Sequence, residues 1–115
     1  MITPLNESNT KTMKYKLYGE VYELGLYVDR YANYDNLYIG LVDVETGEDF
    51  ADLSINIEPL PEDYICLSGD FQKEHEALIK KYKLGTFTGE YSYSGYGKYP
   101  IYKMNMDVVR QYQVI

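Results

Sequence analysis

LYIGLVDVETGEDFADLSINI, residues 37–57, is the stretch that decides the predicted fold. Residues 50–57 alternate apolar and polar side chains, which is the pattern of a strand with one buried face. Residues 37–44 are apolar on both faces, which favours a central strand covered on both sides. Between them, Gly47 can adopt the left-handed backbone conformation that a short loop needs. The stretch therefore predicts a β-hairpin with its turn at one end of a sheet.

The same stretch begins a run of acidic residues without a compensating base. Between residues 43 and 63 the sequence has no Lys or Arg and eight carboxylates: Asp43, Glu45, Glu48, Asp49, Asp52, Glu58, Glu62 and Asp63. Such a concentration of charge attracts a cationic partner, although acidic turns also occur simply because they keep proteins soluble. The binding hypothesis assigns these carboxylates, together with Tyr38, to a partner-binding surface. Flanking tyrosines would supply its buried anchors, because an acidic turn alone is too small for a specific contact.

Length and composition indicate one domain with an unusual number of tyrosines. The chain has 115 residues, of which 45% are hydrophobic, enough for a single core and too many for a disordered chain. Fifteen residues are Tyr, an amphipathic side chain that is enriched in protein interfaces. The net charge of -7 argues against direct binding to nucleic acid or to an anionic membrane surface. With one cysteine and no apolar run of the signal-peptide or transmembrane type, the sequence predicts a cytoplasmic protein.

The rest of the chain predicts further strands. Residues 1–12 are polar and lack periodicity, so we expect a mobile N-terminal segment ahead of a single domain at residues 13–115. Residues 13–30 alternate as two strands do. Residues 86–106 predict another hairpin. Because its return strand contains Pro100, we expect either that this strand lies at a sheet edge or that Pro100 lies at its start.

Residues 71–84 carry the one clear helical pattern, with apolar side chains at helical spacing on one face. Ser68 or Asp70 is expected to cap the start of this helix, and Gly85 to end it in a left-handed conformation. The predicted fold is α+β: an antiparallel meander sheet of five or six strands with one amphipathic helix, at about residues 70–84, packed on one face.

Three patterns could carry chemistry, and each also has a structural explanation. Cys66 and His75 resemble a nucleophile and base, but His75 lies on the apolar stripe of the helix, which favours a packed histidine and an inert thiol. The acidic turn lacks the twelve-residue calcium-loop pattern, which leaves at most a weak divalent-cation site. The Gly- and Tyr-rich stretch 89–99 matches neither the P-loop nor the dinucleotide fingerprint. Stacking on bases would need more nearby charge than Lys98 and Lys103 supply. We therefore expect no enzyme, cofactor or bound metal ion.

Two segments carry a resemblance to a known family. The first is the turn DVETGEDFADLS, residues 43–54. The second has Leu-Gly at residues 84–85, Thr-Gly at residues 88–89 and SGYGKYPIY at residues 94–102. Together they resemble a small domain-of-unknown-function family carried on conjugative elements and plasmids of Gram-positive bacteria. The resemblance covers most of the chain after Tyr15, and its motifs of turns, glycines and tyrosines imply no catalytic residue.

Small acidic proteins of this origin also resemble type II-A anti-CRISPR inhibitors. That resemblance implies a non-enzymatic inhibitor from a mobile genetic element, which binds a type II CRISPR RNA-guided nuclease through the acidic surface and blocks engagement of guide RNA or DNA. Such a nuclease holds its heteroduplex in a positively charged channel, so carboxylates could compete for the same Arg and Lys side chains. The alternative is a structural or accessory protein of a mobile element that self-associates, as a homodimer for example, through its tyrosine-rich surface.

Overall fold

The structure, a computed structural model, describes residues 11–114. Its strands form two four-stranded antiparallel sheets. The first sheet pairs four strands in chain order: β1 (Met13–Leu17), β2 (Glu20–Arg30), β3 (Leu37–Asp43) and β4 (Asp49–Asp52). The second has the order β5-β6-β8-β7, from β5 (Ser54–Ile55), β6 (Tyr64–Leu67), β7 (Gly85–Ser94) and β8 (Gly97–Met104). The α+β class is confirmed, whereas the single meander of five or six strands is wrong.

The expected mobile segment at residues 1–12 lies outside the described residues except for its last two. Of these, Lys11 donates its backbone N–H to Gln111 O at 3.0 Å, and the Thr12 hydroxyl donates to the Glu23 carboxylate at 2.6 Å. Ile115 is also outside the described range.

The chain changes sheet at Leu53, and this corner creates the second sheet. The sequence predicts one strand over residues 50–57, but β4 ends just before Leu53 and β5 begins just after it. Leu53 N–H donates to Ile39 O in the first sheet, and Leu53 O accepts the N–H of Ser68 beside the second, both at 2.9 Å. Ser54 Oγ accepts the N–H of Ile39 at 3.0 Å. This side-chain oxygen takes the place of the backbone carbonyl that a longer β4 would supply. Because alternation describes a strand without specifying its partner, the pattern did not reveal the corner.

The predicted helix is confirmed as α1 (Gln72–Tyr82), which contacts β1 and β7. A second helix, α2 (Met106–Val109), is followed by a 3₁₀ turn at Arg110–Tyr112. The core between sheets and α1 consists of almost fully buried apolar side chains, among them Met13, Leu24, Leu26, Ile39, Leu41, Leu53, Ile65, Leu67, Ile79 and Leu84. Burying each of the larger ones contributes about 1.5–3 kcal/mol.

The residues predicted to cap the two ends of the helix are wrong. Phe71 occupies the N-cap with a left-handed φ of 55° and no side-chain cap, rather than Ser68 or Asp70. Lys83 takes the left-handed position at the other end, with a φ of 57°. Gly85 instead begins β7, where an added Cβ would lie 2.8 Å from the carbonyl oxygen of Lys103. Close backbone approach, and not helix termination, therefore explains this glycine.

The strand that contains Pro100 neither lies at a sheet edge nor begins at this proline, because β8 lies between β6 and β7 and Pro100 is its fourth residue. The pairing of β6 with β8 ends at Cys66 and Ile101, so Pro100 lies just beyond that ladder. Antiparallel pairing with β7 directs the nitrogen of Pro100 away from β7, so its missing N–H removes no bond there.

Asp43 builds the turn between β3 and β4. Its Oδ1 accepts the N–H of Glu45 at 2.9 Å and the N–H of Thr46 at 3.4 Å, and its carbonyl oxygen accepts the N–H of Gly47 at 2.8 Å. Gly47 has the left-handed φ, 77°, that the sequence predicts. The turn is therefore held by its own first residue, which fixes where Glu45 and Glu48 leave the sheet.

His75 ties α1 to the corner of the chain. Its imidazole is fully buried, with Nε2 3.1 Å from the carbonyl oxygen of Asp52 and Nδ1 2.9 Å from the hydroxyl of Tyr15. A carbonyl can only accept, so Nε2 carries the proton and Nδ1 accepts from Tyr15. Burial lowers the pKa of His75 below its ordinary value of 6.5, which keeps the ring neutral in the folded protein.

The free energy of unfolding should decrease as the pH is lowered below 6.5. The pKa of His75 is lower in the folded state, so in this range the unfolded chain binds more protons and the stabilisation present above 6.5 is lost. Urea titrations between about pH 7.5 and about pH 5.5, above the range where most carboxylates titrate, measure the slope. His75→Gln should be less stable throughout but show a flatter slope; equal slopes for both proteins would contradict this role.

Asp43→Ala should lower the free energy of unfolding by about 1 kcal/mol, because the N–H groups of Glu45 and Thr46 lose their acceptor. Asp43→Asn is the matched control, since its amide oxygen can accept the same hydrogen bonds without the charge. Urea denaturation should place Asp43→Asn close to the wild type. An equal loss in both variants would mean that the charge, and not the hydrogen bonding, is what the turn requires.

Candidate partner-binding surface

Acidic and tyrosine side chains meet on the face of the first sheet that is turned away from the core. Residues directly opposed on antiparallel strands share a face. Tyr27 lies opposite Gly40, Gly40 lies opposite Asp52, and Asp29 lies opposite Tyr38. We call this surface, together with the adjoining turn, the anionic face, which consists of Asp29, Glu45, Glu48, Asp49 and Asp52 with Tyr27, Tyr31 and Tyr38.

Tyr38 lies at the centre of the anionic face. Its hydroxyl donates to Asp52 Oδ1 at 2.7 Å, and its ring makes edge-to-face contacts with Tyr31 and Tyr27, at centroid distances of 5.3 and 6.1 Å. Gly40 leaves room for this arrangement, because an added Cβ would lie 2.5 Å from the Tyr38 oxygen. Burial, followed by the hydrogen bond to Asp52, raises the pKa of Tyr38. The three rings therefore form a packed cluster rather than three independent side chains.

A second tyrosine hydroxyl is paired with an acid on the same surface. Tyr27 donates to Asp29 Oδ2 at 3.1 Å, and this hydrogen bond is the main cause of the raised pKa of Tyr27. The charge of Asp49 raises the pKa of both Tyr27 and Tyr38, because its carboxylate lies near both phenols. The carboxylates and the rings thus belong to one electrostatic environment.

No Lys or Arg among the described residues forms an ion pair with a carboxylate of the anionic face. Glu45, Glu48, Asp49 and Asp52 are exposed. The ion pairs among residues 11–114 are two, Lys14–Glu23 at 3.4 Å and Arg30–Glu62 at 3.9 Å, and neither includes a residue of this face. A partner would therefore meet fixed charges without first breaking an internal ion pair.

The structure divides the eight predicted carboxylates into two groups. Asp43, Glu45, Glu48, Asp49 and Asp52 lie at the β3–β4 turn or beside Tyr38, although the Asp43 carboxylate is committed to the turn. The remaining three lie towards the other end of β3: Glu58, Glu62 and Asp63. At about 3.3 Å per residue, the length of β3 separates the two groups by about 20 Å.

The three distant acids make internal contacts. The Glu58 carboxylate accepts a hydrogen bond from the Ser92 hydroxyl, and the Glu62 carboxylate pairs with Arg30. Asp63 has a left-handed φ of 68°, and its carbonyl oxygen accepts the N–H of Met104 at 2.8 Å. We therefore assign Glu58, Glu62 and Asp63 to holding the loop before β6, and leave them out of the anionic face.

Sequence reasoning missed Asp29, Tyr27 and Tyr31. A signal for two of them was present, because the alternation of β2 places its apolar residues on one face and leaves Tyr27 and Asp29 on the other. Their approach to Tyr38 could not be seen, since it depends on the register of β2 against β3.

The residues considered for chemistry are not assembled into a reacting group. Both ring nitrogens of His75 are engaged by Tyr15 and by the Asp52 backbone, and neither is directed at the thiol of Cys66. Cys66 is fully buried, and burial raises the pKa of its thiol. Within residues 11–114, no three His, Cys, Asp or Glu side chains are grouped as metal ligands would be.

Between Lys11 and Val114, no helix has the length and apolar character needed to cross a membrane.

No curated protein and no solved structure matches the chain. One family does: DUF4313, described as a domain of unknown function, matches residues 25–114, which include every residue of the anionic face. The expected resemblance to a small domain-of-unknown-function family is thereby confirmed. The chain belongs to the DUF4313 family.

Proposed function

We propose that this protein is a non-enzymatic inhibitor, encoded by a mobile genetic element, that binds a type II CRISPR RNA-guided nuclease and blocks its engagement of guide RNA or DNA. The contact would be made by the anionic face. The observation that carries the proposal is the set of exposed carboxylates around Tyr38 that no Lys or Arg among residues 11–114 neutralises. The identity of the partner rests on the resemblance to type II-A anti-CRISPR proteins.

The electrostatics of the anionic face favour a cationic cavity in a protein. A nuclease of this type holds the guide–target heteroduplex in a positively charged channel and contacts its phosphate backbone. Carboxylates presented to that channel would meet the Arg and Lys side chains that otherwise bind phosphates. Long-range attraction between opposite surfaces raises the association rate, and it weakens as the salt concentration rises.

The tyrosine cluster would add short-range binding energy. Tyr is among the residues enriched at interface hot spots, where a few buried side chains dominate the affinity. Tyr27, Tyr31 and Tyr38 already pack against one another, and Tyr38 is fixed by Asp52, so little side-chain freedom remains to be lost on binding. The rings would thus anchor a contact that the carboxylates orient.

Charge reversal at the turn should strongly weaken the interaction. In Glu45→Lys/Glu48→Lys/Asp49→Lys, we expect affinity for the nuclease to fall about a hundredfold or more, because repulsion replaces attraction at three positions. None of the three side chains makes a hydrogen bond or ion pair within residues 11–114, so the fold should be retained. Biolayer interferometry against a panel of type II nucleases, each with and without guide RNA, measures the effect.

The matched control for this experiment is Asp70→Lys/Glu90→Lys/Asp107→Lys, which makes the same change in net charge at exposed acids outside the anionic face. Its affinity should remain within about threefold of the wild type. Equal losses in the two triple variants would make net charge, not the anionic face, responsible. A wild-type protein that binds no nuclease of the panel, or that binds without inhibiting guide loading or DNA cleavage, would refute the proposed function.

Self-association is the second candidate function, and the hairpin of β7 and β8 favours it. Tyr93 and Tyr96 near its tip are 68% and 110% exposed, far more than tyrosines usually are in folded proteins. Both belong to the Gly- and Tyr-rich stretch 89–99. Exposed aromatic rings of this kind mark protein contacts.

If the protein self-associates through this hairpin, its mass measured by light scattering should rise with concentration, and Tyr93→Ser/Tyr96→Ser should keep it monomeric. The matched control is Tyr18→Ser, since Tyr18 is 87% exposed but lies in the β1–β2 turn of the other sheet. A monomeric wild type at all concentrations would eliminate this candidate and leave the inhibitor proposal untouched.

A further inference from the structure

A basic groove lies between β1 and α1, outside the anionic face. Four lysines line it: Lys14 and Lys16 from β1, and Lys73 and Lys81 from α1. Ala77 and Leu78 of α1 also line it, so the groove has an apolar wall beneath its charged rim. This is a concentration of positive charge on a chain whose net charge is -7.

One wall of the groove is the edge of a sheet. β1 is the first strand in the order of its sheet and pairs only with β2 among the described strands. Alternate backbone groups of an antiparallel edge strand point away from its partner. The N–H of Lys14 is one of these, because it donates to the hydroxyl of Tyr82 on α1 at 2.7 Å. The same alternation directs the N–H of Lys16 away from β2, on the side of β1 where α1 lies.

Tyr82 limits the groove at the Lys14 end. Its hydroxyl accepts the hydrogen bond of the outward N–H of Lys14, so this N–H is not available to an added strand. The ring of Tyr82 packs edge-to-face on Tyr112 at a centroid distance of 5.5 Å. Backbone pairing along β1 is therefore available from the carbonyl of Lys14 onwards, towards Lys16. This short stretch would bond two or three residues of an added strand, and neighbouring residues would contact the helix.

The lysines of the groove are only partly neutralised by the chain itself. Lys14 forms an ion pair with the carboxylate of Glu23 at 3.4 Å, and Glu74 lines the groove. Lys16, Lys73 and Lys81 are exposed and form no ion pair within residues 11–114. The positive charge of the rim therefore exceeds the negative charge beside it, and an anionic occupant would be attracted.

We propose that this groove binds an extended acidic peptide segment of another protein, which adds to the edge of β1 as a further strand. The main chain of the peptide would bond to the outward carbonyl of Lys14 and to the outward N–H and carbonyl of Lys16. In a strand, side chains alternate between two faces, so small apolar residues could rest on Ala77 and Leu78 while the acids between them reach the lysines. A sheet edge beside a helix supplies both requirements of this binding mode: backbone partners and side-chain pockets.

The acidic turn of a second copy of this chain fits the groove less well. Its carboxylates lie on a compact turn closed by hydrogen bonds of Asp43, and not on an extended segment that could pair with a strand edge. The groove also lies at the opposite edge of the first sheet from β4, about 14 Å away across three strand spacings. The inference is therefore independent of the proposed function, and either can fail without the other.

Fluorescence anisotropy with labelled peptides tests the inference. The probe is an eight-residue peptide in which Asp alternates with Val, and one comparison peptide has Lys in place of Asp. Two further peptides have the sequence of the probe but are N-methylated at alternate backbone nitrogens, one at the odd positions and one at the even positions. Each methylation pattern prevents strand pairing along one edge of the peptide and leaves the other edge intact. We expect saturable binding of the probe, no binding of the Lys peptide, and at least about tenfold weaker binding for one methylation pattern.

Protein variants locate the binding site. Lys16→Glu/Lys73→Glu should weaken binding of the probe by about tenfold or more, whereas Lys98→Glu/Lys103→Glu, the same charge change on β8, should leave it within about twofold. In NMR spectra, the amide signal of Lys16 should shift on titration and exchange more slowly with solvent. Each of these results supports the inference.

Four outcomes would overturn it: no saturable binding of the probe, equal losses in the two double variants, equal binding of all methylated peptides, or amide shifts confined to residues outside β1 and α1. Equal binding of the methylated peptides would reduce the interaction to charge alone. A mass that rises with concentration in the wild type but not in Lys16→Glu/Lys73→Glu would instead identify a second copy as the occupant, and would overturn the choice of partner.

Discussion

The corner at Leu53 is the constraint on which the rest of the structure depends. It lets one hydrophobic run supply strands to two sheets. It is fixed by hydrogen bonds to side chains, which take the place of the backbone pairing of a continuous strand. Ser54 Oγ accepts the N–H of Ile39, and buried His75 holds the carbonyl of Asp52 from the helix side. Buried polar groups of this kind are costly when unpaired, so the bonds that satisfy them also specify the path of the chain.

The corner also organises the anionic face. Asp52, the last residue of β4, lies opposite Gly40, so its carboxylate is on the outer side of the sheet, where Tyr38 reaches it across Gly40. The backbone of Asp52 faces His75 while its side chain faces solvent and a tyrosine. A single residue therefore couples the packing of the helix to the geometry of the surface, which explains how a surface rich in like charge can still be well defined.

The first sheet separates charge across its width. Lysines of β1 lie at one edge, next to lysines of α1, and the aspartates of β4 lie at the other. A net charge of -7 describes the whole chain and hides this polarity. The two edges offer different chemistry: exposed carboxylates framed by rings at one, and a strand edge with an ammonium rim at the other. If both proposals hold, the two partners would carry opposite charge and would not compete for the same surface.

The sequence by itself determined the local features of this protein: most strands, the turn at Gly47, the helix within residues 71–84 and the run of acids from Asp43. These follow from periodicity and turn chemistry, which act over a few neighbouring residues. Only the tertiary structure decided that residues 50–57 serve two sheets, that Glu58, Glu62 and Asp63 lie away from the anionic face, and that lysines far apart in sequence line one groove. The physical reason is that alternation fixes which face a side chain takes, whereas its neighbours across the sheet depend on strand pairing and register between distant segments.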